Sequence, residues 1–92
     1  MRKTIYSKQQ ELLLRLLVEA RLAANATQGD LAGWLGITQS EVSKRERGER
    51  GLDFIQVRTW VEALGVPFGI FVAEFEAKLS QNQLPVHRPR RR

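Results

Sequence analysis

The stretch GITQSEVSKRERGER, residues 36–50, gathers amides, hydroxyls, cations and carboxylates. From Gln39 to Arg47 only Val42 is plainly apolar. This is the chemistry of hydrogen bonding and charge pairing, not of bond breaking. Nucleophilic or metal chemistry would need a set of side chains that the chain lacks. It has no cysteine, and its one histidine, His87, lies in a Pro- and Arg-rich tail where it reads as a solvated residue. Disulfides and thiolate metal sites are excluded, and no metal or cofactor is expected. The sequence shows no paired acids, nucleophile–base set or Gly-rich phosphate loop, so it does not read as an enzyme.

A helix that is polar all round must bridge solvent, live on side-chain pairs, or fail to form. Something must therefore hold this segment, and the rest of the chain is read for that purpose. With 92 residues there is room for one small domain and one modest core. No apolar run approaches the ~20 residues that span a bilayer, and the leucines near the start lack a signal-peptide pattern. The expected setting is cytoplasmic, with no membrane partner. Net charge is +5, from fifteen Lys and Arg against ten Asp and Glu. Without Arg88, Arg90, Arg91 and Arg92 the balance is eleven against ten, so the folded part is nearly neutral. Local charge must carry any argument about nucleic acid.

Apolar spacing and caps predict five short helices and no strand. Helix 1 is expected at about 8–24, capped by Ser7, with Leu13, Leu16, Leu17, Ala20 and Ala24 as its stripe and Asn25 as a left-handed terminus. Thr27 caps helix 2, about 28–35, with Asp30 in a capping box and Leu31, Ala32 and Leu35 inward. Gly36 stops it. Thr38 then caps helix 3, Gln39–Arg47. Asp53 caps helix 4, about 54–64, with Phe54, Val57, Trp60, Val61 and Leu64 as its stripe, and Gly65 ends it. Pro67 suits the first position of helix 5, about 67–79. There Phe68, Phe71, Val72, Phe75 and Leu79 share one side, while Ile70, Ala73 and Ala77 lie towards another.

Helices 2 and 3, joined by so short a turn with Gly36 in it, match a helix-turn-helix. Ala32 is small enough for helix 3 to cross closely. Ile37 and Val42 point inward and pin helix 3 to Leu31 and Leu35. One edge is anchored and the polar face is left exposed, with helical pairs such as Glu41–Arg45 and Glu46–Arg50 adding only ~0.2–0.5 kcal/mol each. In a helix-turn-helix such a face meets the DNA major groove.

The run TQGDLAGWLGITQSEVSKRERGERGLD resembles the Cro/repressor (XRE-type) helix-turn-helix family over about residues 8–75. Its marks are Gln28, Ala32, Gly36, Val42 and the ERG of Glu46–Gly48. The resemblance implies an all-α, five-helix, lambda-repressor-like bundle with the helix-turn-helix at about 28–47. Residues 1–79 would form the DNA-binding domain and residues 80–92 a disordered basic tail. It implies double-stranded DNA as partner, bound by a homodimer. By resemblance Gln28 touches a phosphate at the start of helix 2. Gln39, Ser40 and Lys44 take base-reading positions, with Ser43 beside them: Gln suits adenine N6/N7 and Lys suits guanine O6/N7. Arg47 and Arg50 suit phosphate clamping. Arg21 and Glu46 match a family ion pair bridging helix 1 to the end of helix 3. Arg45 stands where the family usually has an apolar or aromatic residue; its stem can cover that surface while the guanidinium reaches solvent or phosphate.

Several residues carry two readings. Glu41 either closes a capping box with Thr38, the preferred reading, or accepts from cytosine N4. Trp34 either packs beneath the C-terminal helix or meets a partner. Phe68 and Ile70 are either a dimer interface or ordinary core. The terminal Arg run is an electrostatic arm along DNA or a solvated tail. The function expected is a sequence-specific transcriptional regulator, a dimeric repressor reading a palindromic operator. The alternative is an antitoxin-type module that neutralises a toxin and autoregulates its operon.

Overall fold

The computed structural model describes residues 5–81, with side chains from Ser7 onward. Residues 1–4, His87 and the terminal arginines lie outside that range. Five helices follow in order: α1 (Ile5–Ala23), α2 (Gln28–Leu35), α3 (Gln39–Glu46), α4 (Phe54–Ala63) and α5 (Phe68–Gln81). No strand occurs among the described residues. This is the all-α helix-turn-helix bundle that the sequence predicts.

α1 begins earlier than expected, so Ser7 lies inside it and caps nothing. Nothing N-terminal to Ser7 breaks a helix, and serine's modest interior penalty is too small to stop one. The buried face of α1 is also turned slightly. Leu12, Leu16 and Leu17 are buried, Leu13 and Ala20 are half-buried against them, and Ala24 lies exposed past the helix end. Leu31 and Ala32 from α2, Val42 from α3, Val57, Trp60 and Val61 from α4, Phe71 and Leu79 from α5, and Ala26 and Leu64 just past helix ends complete the core. Truncating Leu17 or Leu31, both fully enclosed, would cost about 2–5 kcal/mol.

The caps of α2, α3 and α4 act as the sequence predicts, except that one capping box stays open. Thr27 and Asp30 form a reciprocal capping box, and Asp53 forms another with Gln56. Thr38 accepts from the Glu41 amide, but the Glu41 carboxylate does not close the box. It turns along the helix to receive Arg45 Nε at 3.1 Å, because a cation one turn away outcompetes a neutral amide for a carboxylate. α5 begins at Phe68, with Pro67 just outside, where its carbonyl accepts from the Phe71 amide at 3.1 Å. It runs on to Gln81, two residues into the segment expected to be disordered, because buried Leu79 anchors its last turn.

Four helix ends share one geometry. A left-handed residue follows the helix, and the next amide reaches five residues back: Ala26 to the Arg21 carbonyl at 3.1 Å, Ile37 to Ala32 at 3.0 Å, Glu49 to Lys44 at 2.9 Å and Val66 to Val61 at 2.9 Å. The left-handed residues are Asn25, Gly36, Gly48 and Gly65. Such ends usually carry an apolar contact from the residue after the turn. Ala26 is buried, and Ile37 and Val66 pack on the core. Glu49, at the end of α3, is exposed and charged.

One aromatic expectation fails, and one of the two readings of Trp34 is removed. Phe54 was expected on the α4 stripe but is 69% exposed, since the first turn of α4 overhangs the core. It rests edge-on against Phe68, ring centroids 5.1 Å apart. Trp34 is 58% exposed and does not pack beneath the C-terminal helix. α2 packs chiefly on α3 and α4, and α5 on α1 and α4, which leaves the indole uncovered.

Candidate nucleic-acid interface

α3 is anchored on its inner side by one apolar residue and one ion pair. Val42 is fully buried, and α2 is the helix most closely engaged with α3. Glu46 turns inward as well, its side chain 5% exposed, and Arg45 is largely covered, while the opposite side of α3 faces outward. Gln39 and Ser40 are exposed, and Ser43 and Lys44 are half-exposed. The Ser40 and Lys44 side chains make no hydrogen bond or salt bridge among the described residues.

Beneath this face lies a continuous polar network. Arg21 is 9% exposed. Its Nε donates to Glu46 Oε2 at 2.7 Å and its Nη2 to Glu46 Oε1 at 3.1 Å, while Nη1 donates to the Ala26 carbonyl at 3.0 Å. The ion pair expected between α1 and the end of α3 is present and nearly sealed. Glu46 Oε1 also receives Gln28 Nε2 at 2.9 Å, and Gln28 Oε1 receives Gln39 Nε2 at 3.4 Å. Order set inside the fold therefore reaches the outermost amide of α3 through two side-chain bonds. Glu46 is turned inward to Arg21 and α3 ends at it, so the helical spacing to Arg50 is lost and the expected Glu46–Arg50 pair is absent. Arg50 Nε instead lies 3.8 Å from Glu41 Oε2.

The remaining cations are engaged in different ways. Arg45 is largely covered: it holds Glu41, and its Nη1 reaches the Gly51 carbonyl at 3.4 Å. It lines a shallow cavity together with Leu35, Ile37, Leu52 and Trp60. Arg47 is exposed. Its Nε and Nη2 grip Glu49 Oε2 and Oε1 at 2.8 and 3.2 Å, and its Nη1 donates to Ser43 Oγ. This contact holds the Glu49 carboxyl below its ordinary range, first by hydrogen bonding and then by charge, and raises the already high Arg47 value.

The sequence reading missed the Gln28–Glu46 bond, the Gln39–Gln28 bond and the Arg47–Glu49 grip. The last had a visible signal: Gly48 between two oppositely charged residues marks a left-handed helix end that folds them together. The two residues assigned to a dimer interface are not brought together. Phe68 is half-buried and lines an apolar groove of about 360 Å³ with Leu13, Phe54, Val57, Val72 and Phe75. Ile70 lies outside that groove and is 63% exposed.

A helix-turn-helix family model matches residues 17–71, which include all of α2, α3 and α4. An XRE-family like protein from Pseudomonas syringae pv. tomato str. DC3000 is 40% identical in sequence. The two structures superpose with a TM-score of 0.76 over 80% of this chain and 90% of that one. This chain belongs to the XRE-type helix-turn-helix family. No curated protein matches it. The XRE family is one of DNA-binding transcription regulators, and α2–α3 is the motif that defines it here. Among the described residues of this XRE-type protein, no helix is long and apolar enough to cross a membrane.

Proposed function

We propose that this protein is a dimeric, sequence-specific repressor that reads a palindromic operator by laying α3 in the major groove. The observation that carries the reading is the two-sidedness of α3. Val42 is sealed inside, while Gln39, Ser40 and Lys44 face out, Ser40 and Lys44 with unspent donors. In this reading Gln39 takes adenine N6/N7 and Lys44 takes guanine O6/N7. Ser40 and Ser43 reach neighbouring base edges or phosphate. Gln28 holds Gln39 in register and touches a phosphate at the start of α2. Arg47 and Arg50 clamp the backbone. Arg45, already committed to Glu41 and the Gly51 carbonyl, braces the loop after α3 in place of a phosphate contact.

The apolar groove between α4 and α5 supports self-association. Phe54 and Phe68 present an aromatic edge there, and a two-fold dimer would set two α3 helices ~34 Å apart. Footprinting on DNA upstream of the protein's own gene tests the reading: two protected half-sites about one helical turn apart are expected. Absence of any protected palindrome across salt conditions would overturn it. A second reading, a protein-capturing module of antitoxin type, draws on the exposed indole of Trp34. It predicts that Trp34→Ala abolishes co-purification of a neighbouring gene's product while leaving DNA binding intact.

A further inference from the structure

We propose that Glu49 is a built-in stand-in for a DNA phosphate: it holds Arg47 against the flank of α3 in the free protein and yields it to a backbone phosphate when duplex binds. The inference rests on the DNA-binding reading above.

The first observation is the place of Glu49 in the fold. Of the four matching helix ends, three put an apolar residue after the turn, and only α3 puts a carboxylate there. The position is not loose. The Glu49 amide is tied to the Lys44 carbonyl at 2.9 Å. Gly48 has a φ of +81°, and a Cβ on it would come within 3.0 Å of Leu14 Cδ1, so the turn is set closely against α1. The fold thus carries the Glu49 carboxylate beside Arg47.

The second observation is the shape of the contact. Two parallel bonds from Nε and Nη2 to the two carboxylate oxygens are the arrangement a guanidinium also uses on phosphate. One edge of Arg47 cannot serve both anions at once, so binding a phosphate there is an exchange. The third observation is solvent access. Both side chains are 54% exposed, and an ion pair so open to water is weak enough to be replaced. The depressed carboxyl of Glu49 agrees with this: Arg47 is its main partner, and Lys44 adds a smaller attraction.

An exchange has consequences that a simple phosphate clamp lacks. Glu49 opposes binding to every duplex, whatever its sequence. Once displaced, its charge sits near the backbone and must gather a cation, which offsets one of the counterions released by the DNA.

The test uses the full chain, a short mixed-sequence duplex and a salt series, with wild type, Glu49→Gln, Arg47→Gln and the double variant. Glu49→Gln is expected to tighten binding roughly two- to fivefold, the range for an exposed ion pair. It should steepen the slope of log affinity against log salt by about one. Both effects should vanish in the Arg47→Gln background. In wild-type protein, the Glu49 carboxyl titration followed by NMR should move upward when duplex is added. Unchanged affinity in Glu49→Gln, full persistence of the gain without Arg47, or an unmoved titration would each overturn the proposal. If wild type binds no duplex at any salt, the functional reading falls with it; if wild type binds and only these effects are missing, this inference alone falls.

Discussion

The end of α3 carries two Arg–Glu pairs of the same geometry and opposite circumstance. Arg21 and Glu46 meet with side chains 11% and 5% exposed, and Arg47 and Glu49 meet with both at 54%. Each guanidinium grips two carboxylate oxygens. The buried pair cannot open without stranding a charge in a low-dielectric interior, so it acts as a structural pin. The exposed pair can open at little cost, so it can serve as a contact to be exchanged. One chemistry thus gives a permanent joint and a replaceable one, and burial decides which.

The comparison is most directly broken by removing each carboxylate. Glu46→Ala is expected to destabilise the fold by about 3–5 kcal/mol, because Arg21 is left buried with only the Ala26 carbonyl, whereas Glu49→Ala should leave the unfolding midpoint almost unmoved. Chemical denaturation of both variants measures this, and equal losses would end the distinction. Next in size is the reading face. Gln39→Ala should cost about 1–3 kcal/mol of operator affinity and almost nothing on random duplex, as read by gel shift on both DNAs. Gln28→Ala, which cuts the link between the buried pair and Gln39, should weaken operator binding by about 1 kcal/mol with little change in folding. That variant sharpens how far the order of the pin extends outward. Arg47→Gln should weaken binding uniformly across sequences while leaving the salt slope almost unmoved, because in wild type the cation gathered by the freed Glu49 offsets the counterion that Arg47 releases.

The smallest effect is on pH. The Glu49 carboxyl lies below its usual value near 4.5 in the folded protein. A group shifted down stabilises the fold above its unfolded value and loses that contribution as pH falls through the lower, folded one. The difference in melting temperature between wild type and Glu49→Gln should therefore be slight near neutrality and shrink towards zero below that acid window.

Much of the bundle was legible because its signals are local. Thr27, Thr38 and Asp53 cap helices wherever a polar oxygen can reach the third amide along, and Asn25, Gly36 and Gly65 mark left-handed ends by residue type. The helix-turn-helix spacing and the Arg21–Glu46 pair followed from the resemblance and are present. The candidate site was legible in outline: Gln39, Ser40 and Lys44 do share an exposed face. What could not be read was the choice of partner. Glu41 has an amide and a cation within reach, and only side-chain geometry directs it to Arg45. Phe54 continues an apolar stripe in sequence, yet its turn overhangs the core. Trp34 lies at the margin of a buried face, and whether a helix covers it depends on where α5 runs.

The amino-acid order alone determined the helix ends marked by a cap or a left-handed residue and most of each apolar face, since these depend on neighbours within four or five positions. Only the tertiary structure decided which Arg–Glu pair is sealed and which is open to solvent, and through which amides the sealed one reaches α3. Charge strength depends on the surrounding dielectric, and that is a property of the packed whole, not of any stretch of chain.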